Sequence, residues 1–209
     1  MKLKKIASLA LAGIMAVSML AGCKDGAKPE NPVPETPVTT DVVTYANDIL
    51  KGNQKAVFEF ENSDDFNTAL KSAATDSSKF TSQIIKKYTY YTAQGVSELN
   101  KELADKLDAT NGTMTTVTSE GTEKGIYVYA VSGNVEEKAS VEMAVTSFAN
   151  VTLKNNTYFP AVAANKYVLD YTANISALKV AAPDNADDTV WVIGILVNQT
   201  ATESANTQA

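Results

Sequence analysis

Three groups of side chains in this 209-residue chain have the types and spacing to do chemistry. Tyr88, Tyr90 and Tyr91 form a tyrosine cluster, and exposed tyrosines can stack on sugar rings, as a glycan binder requires. Tyr88 and Tyr91 continue an apolar stripe begun by Phe80 and Ile84. That places them in the core and leaves Tyr90, off the stripe, as the expected binding residue. Asp184, Asp187 and Asp188 make an oxygen-rich segment of the kind that binds calcium. Their spacing lacks the glycine and the distal glutamate of an EF-hand loop, so a solvated turn is the expectation and no metal is assigned. Glu59, Glu61, Asp64 and Asp65 are a set of paired carboxylates, the working parts of glycosidases. Their place at a strand end and a helix start explains them structurally.

The N-terminus carries an address. Lys2, Lys4 and Lys5 precede an apolar run from Ile6 to Leu20, and Leu20-Ala21-Gly22-Cys23 follows. The lysines stay on the cytoplasmic side while the apolar run enters the bilayer. Ala21 and Gly22 are small, as a peptidase cleft requires. In these residues the chain resembles a bacterial lipoprotein precursor with its lipobox. The resemblance implies a diacylglyceryl group on the Cys23 sulfur, cleavage just before Cys23, and an extracytoplasmic protein anchored to the cell membrane, or to an outer membrane in a host that has one. Each buried methylene contributes about 0.8 kcal/mol, so two acyl chains hold a protein where one does not. Cleavage removes three lysines and takes the formal charge from -6 to -9. Such acidity disfavours a polybasic second anchor and a nucleic-acid partner. An envelope protein or glycan is the expected partner besides the membrane.

Two absences bound the chemistry further. The chain has no histidine, and all 18 basic residues are lysine. There is accordingly no Ser-His-Asp or Cys-His pair, no His-ligated zinc, and no arginine fork for carboxylate or phosphate. Cys23 is the single cysteine, and its lipidation would leave neither a free thiol nor a disulfide. No cofactor is expected. Carboxylates, lysines, tyrosines and hydroxyls remain. Two function classes fit: a non-catalytic binding or structural head acting on an envelope or extracellular component, or a small envelope hydrolase using carboxylates or a Ser/Lys pair.

The elements that must position these residues follow from composition and periodicity. The signal occupies residues 1–22. Residues 23–40, with Pro29, Pro32, Pro34 and Pro37, read as a lipidated tether able to span about 50 Å in polyproline geometry. The folded part is 41–199, and 200–209 reads as a frayed tail. Val42, Ala46 and Ile49 predict a helix, and Lys55 to Phe60 a short strand. Asn62 or Ser63 caps a helix carrying Phe66, Leu70 and Ala74, with Asp64 and Asp65 in its first turn. Phe80 to Leu107 reads as a longer helical pattern that Gly95 kinks or splits, with Glu102 and Lys106 as a surface pair. Ser119 to Gly125 reads as a turn and Ile126 to Val131 as a strand. Val141, Met143 and Val145 alternate, with a helix from Glu136 to Phe148 as the competing reading. Pro160 opens an expected helix with Ala164, Val168, Tyr171, Ile175 and Leu178 on one stripe. Pro183 to Asp188 is a loop. Val190 to Val197, apolar on both faces and containing Trp191, is a strand for the middle of a sheet. The fold class is α+β: a helical N-terminal half packed with a largely antiparallel sheet in a single globular domain.

Cys23 is the sole anchor in this reading. Replacing it, Cys23→Ser, should abolish lipid labelling and leave an uncleaved or released form; normal processing with retained label would refute it.

Overall fold

The computed structural model describes residues 41–50, 58–76, 79–88, 91–112, 119–150, 162–163 and 167–203. Cys23, the tether, Tyr90 and Pro160 lie outside the described residues, as do residues 55–57 of the Lys55–Phe60 strand and the tail beyond Glu203. The described chain is α+β. In chain order it runs α1 (Asp41–Ile49), β1 (Phe60–Glu61), α2 (Asp64–Ala74), α3 (Ser82–Ile85), β2 (Gln94–Gly95), α4 (Ser97–Leu107), β3 (Thr110–Asn111), β4 (Gly121–Ser132), α5 (Glu137–Phe148), β5 (Val162–Ala163), β6 (Tyr167–Ala182) and β7 (Asn185–Glu203).

Strand β7 is the axis. It pairs antiparallel with β4 on one side, from Gly121↔Ala201 to Ser132↔Val190, and with β6 on the other, from Tyr167↔Glu203 to Ala182↔Asn185. The main sheet order is β1-β6-β7-β4-β2, with β3 beside β4 and β5 beside β6. The short β1–β6 and β3–β4 ladders are parallel, so the sheet is mixed.

Helices cover both faces. On one, α1 (Val42, Ala46) and α5 (Val141, Ala144, Val145, Phe148) bury Trp191, Ile193, Ile195 and Val197 of β7 with Val131, Ile175 and Ala177. On the other, α2 (Phe66, Leu70) and α4 (Leu99, Leu103) bury Val190, Val192 and Leu196 with Ile126, Val128 and Val180. Successive strand side chains point to opposite faces, so a strand apolar at every position needs a cover on each side. Trp191 is 6% exposed, and its indole N–H donates to the Val135 carbonyl at 2.9 Å.

Local signals fix several helices. The Ser63 hydroxyl accepts the Phe66 N–H at the start of α2, with Asp64 and Asp65 in the first turn, where the helix dipole favours acids. Asp108, in the left-handed region at φ 51°, ends α4, and Lys124 donates to the Leu107 carbonyl. Asn47 of α1 holds β1 as a backbone would, accepting the Phe60 N–H at 2.7 Å and donating to its carbonyl at 2.9 Å.

Several expectations are corrected. The helix expected from Pro160 is, from Tyr167 onward, strand β6. Tyr167, Leu169, Ala173 and Ile175 are buried, alternating with more exposed Val168, Asp170, Thr172 and Asn174. The same residues satisfy a period of 2 as well as a helical stripe, and the demand of β7 for a second partner selects the strand. Conversely, the helix wins over 137–148. Ala144 is fully buried between the half-exposed Met143 and buried Val145, which no alternating strand allows. The long helix expected from Phe80 to Leu107 is two helices, α3 and α4. Gly95 sits in β2 between them, opposite Tyr129. The turn at 119–125 gives way to β4 from Gly121. The expected tail gives way to strand up to Glu203, and the 183–188 loop shrinks to a two-residue Pro183-Asp184 turn.

Close packing of α2 on the sheet depends on one missing side chain. A Cβ on Gly194 would lie 2.8 Å from Cζ of Phe66 and 3.3 Å from a Leu70 methyl. Phe66 is itself fully buried and cannot swing away. Gly194→Ala should therefore cost about 1–3 kcal/mol. In a Phe66→Leu background the added cost should shrink, as measured by urea denaturation in a double-mutant cycle. Equal costs in both backgrounds would show that the ring is not the obstacle.

Candidate functional site

Tyr91 is the outlier of the described surface. It is 85% exposed, which overturns its assignment to the core. The stripe that placed it inside assumed one continuous helix. With the chain turning between α3 and β2, Tyr91 leaves the stripe, while Tyr88 stays half-buried, its ring 6.4 Å from that of Phe80. Tyr90, the expected binding residue, lies outside the described residues.

Tyr91 stands on an open groove of about 400 Å³. Its walls are the 91–93 segment leading into β2 and one stripe of α5: Ala139, Glu142, Met143 and Thr146. Ile49, at the end of α1, and Ser147 complete it. Ile49, Ala93 and Met143 also pack against the α1/α5 core, so the floor is tied to the rigid part of the molecule. Its described lining includes the hydroxyl residues Thr92, Thr146 and Ser147 and one carboxylate residue, Glu142. Glu142 stands 4.0 Å from Lys138, whose ammonium also lies over the Tyr45 ring at 5.7 Å. Sequence periodicity missed this groove because its walls are brought together from three separate stretches of chain. The exposed face of α5 would have signalled it only once 137–148 was known to be a helix.

A second, smaller concavity of about 270 Å³ opens at the edge of the sheet. There β2 and β3 both border β4 but leave Tyr127 and Val128 between them. Asn100, Asn111 and Ser97 line it with Tyr129, whose phenol burial pushes up to about 12.

The aspartates do structural work. Asp184 accepts the backbone N–H of Ser82 at 2.8 Å, capping α3 from across the molecule. Asp188 accepts the Ser82 hydroxyl, the Asn185 amide at 3.0 Å and the Lys86 ammonium at 2.9 Å. Asp187 is exposed in the same segment. Among the described residues no group of three acidic, histidine or cysteine side chains is placed to hold a metal ion. Residues 183–187 are exposed, and Asp184 and Asp188 also latch the β6–β7 turn to α3. Glu59, Glu61, Asp64 and Asp65 are exposed and line neither concavity.

Neither described Ser/Lys contact is arranged as a nucleophile and its base. Ser82 and Lys86 both point their donors at Asp188. Lys106 donates to the Ser72 hydroxyl at 3.2 Å but also pairs with Glu102 at 3.2 Å. Glu102 is held below the ordinary carboxylate range, first by its hydrogen bond from Lys79 and then by Lys106.

The latch has a pH signature. The Ser82 hydroxyl and then Lys86 hold the Asp188 carboxyl below its ordinary value of 3.8. A depressed folded pKa means stability that is fully present above the unfolded pKa and is lost as the pH falls through the folded one. The melting-temperature gap between the protein and Asp188→Asn should thus be constant above about pH 5 and close as the pH drops below about 4. A gap that persists at pH 2 would assign the effect to packing instead. Comparison of the chain with protein-family models, curated proteins and solved structures finds no match.

Proposed function

We propose that this is a lipid-anchored extracytoplasmic protein, attached to the membrane through Cys23, whose head is a non-catalytic binding module for an envelope component. In this reading residues 24–40 lift the head from the bilayer, and 41–203 is one domain with a helical N-terminal half on a largely antiparallel sheet. The observation that carries the binding role is Tyr91. A large ring 85% exposed beside a groove also lined by Ile49, Ala93 and Met143 offers a flat apolar face to a partner. The groove is open, and among the described residues it has a single carboxylate. Two carboxylates facing each other across a cleft would be needed for glycoside hydrolysis. In each described Ser/Lys pair the lysine also engages a carboxylate, so the hydrolase reading gains no support from them.

Co-sedimentation with isolated cell-envelope material tests this. The full-length lipidated protein should sediment with envelope stripped of its membrane lipid, so that the anchor is not the cause. Tyr91→Ala should weaken that binding by about tenfold, the equivalent of about 1.4 kcal/mol. Unchanged sedimentation of the variant, or release of soluble fragments from the envelope by the protein, would refute the binding-head reading.

A further inference from the structure

We infer that the Tyr91 groove takes a saccharide without net negative charge, with a pyranose ring stacked on Tyr91 and its hydroxyls met by the groove rim. This deepens the binding-head reading and rests on it. A pyranose has two unlike surfaces: a face of C–H groups and a rim of hydroxyls. Recognition needs a flat apolar ring for the first and small acceptors and donors for the second. The groove supplies both within one concavity. Tyr91 offers the ring, and Met143, Ala139, Ala93 and Ile49 make an apolar floor. Thr92, Thr146 and Ser147 can each accept and donate, and Glu142 can accept two hydroxyl hydrogens.

Charge and shape narrow the ligand. No arginine exists in the chain to fork a phosphate or uronate. Among the described lining residues the charged one is an acid, Glu142, with Lys138 4.0 Å away, on a protein of formal charge -6. A polyanionic glycan would be repelled. The groove's volume of about 400 Å³ falls in the range of about 300–1,000 Å³ for small-molecule sites. Its openness at the surface suits a stretch of a longer chain lying across Tyr91 better than an enclosed free sugar.

The test is isothermal titration of the full chain in detergent micelles with two neutral probes, a β-1,4-linked N-acetylglucosamine tetramer and a β-1,4-linked glucose tetramer. At least one should bind. Tyr91→Ala should weaken it about tenfold or more. Tyr91→Phe, which keeps the ring and loses the hydroxyl, should stay within about threefold, and Glu142→Gln should weaken it about three- to tenfold. Melting curves of each variant, matched to the parent, exclude unfolding as the cause. If Tyr91→Phe binds as poorly as Tyr91→Ala, the ring face is not the platform and the inference is overturned. If neither probe binds while envelope sedimentation still depends on Tyr91, the saccharide assignment fails and the binding head stands. If neither probe binds and sedimentation ignores Tyr91, both fail.

Discussion

Everything in this fold follows from the burial of β7 on both of its faces. Between Val190 and Val197 each position is apolar or glycine, and each is buried. One face carries Trp191, Ile193, Ile195 and Val197, the other Val190, Val192 and Leu196. A strand of this kind cannot sit at an edge or lie over water without exposing apolar area at about 25 cal/mol per Å². It needs a strand on each side and a layer of helices above and below. β4 and β6 provide the first, and the pairs α1/α5 and α2/α4 the second. Gly194 marks where the constraint is tightest, since Phe66 of α2 occupies the space a side chain would need.

With the three layers fixed, the surface features fall where layers end. The Tyr91 groove lies where the 91–93 segment meets the outer stripe of α5 and the last residue of α1. Its floor residues Ile49, Ala93 and Met143 are the margin of the α1/α5 core. The groove is therefore formed by elements anchored to the sheet. On the opposite side the β6–β7 turn reaches back to α3 through Asp184 and Asp188. A second bridge joins the end of α2 to α4, where Lys79 donates to the Ala73 carbonyl at 3.3 Å and to Glu102. These polar ties settle short segments that bury too little surface to be held by apolar contact alone.

The limits on chemistry are written in the residue types. Without histidine or arginine, and with its hydroxyl–lysine contacts tied to carboxylates, the described chain has few routes to an activated nucleophile. Binding by shape, ring faces and neutral hydrogen bonds is what such an inventory does well.

The sequence by itself determined what depends on near neighbours or on composition. The Ser63 cap and the acidic first turn of α2, the two faces of β4 with Tyr127 and Tyr129 opposite Ile126 and Val128, and the central place of β7 could all be read from it. In each case a single periodicity or a cap within a few residues leaves one answer. Tertiary structure decided the rest. Tyr167 to Leu178 fits both a helical stripe and an alternating strand, and only the unfilled side of β7 chooses between them. Val141 to Val145 is ambiguous in the same way, and the α1 face resolves it as helix. The fate of Tyr91 turned on whether the chain continued as helix through Gly95, which pairing of β2 with β4 forbids. The ties of the acidic turn were hidden because its partners, Ser82 and Lys86, lie about a hundred residues away. Local patterns carry no information about contacts at that separation, and the groove, assembled from three distant stretches, exists only once those contacts are made.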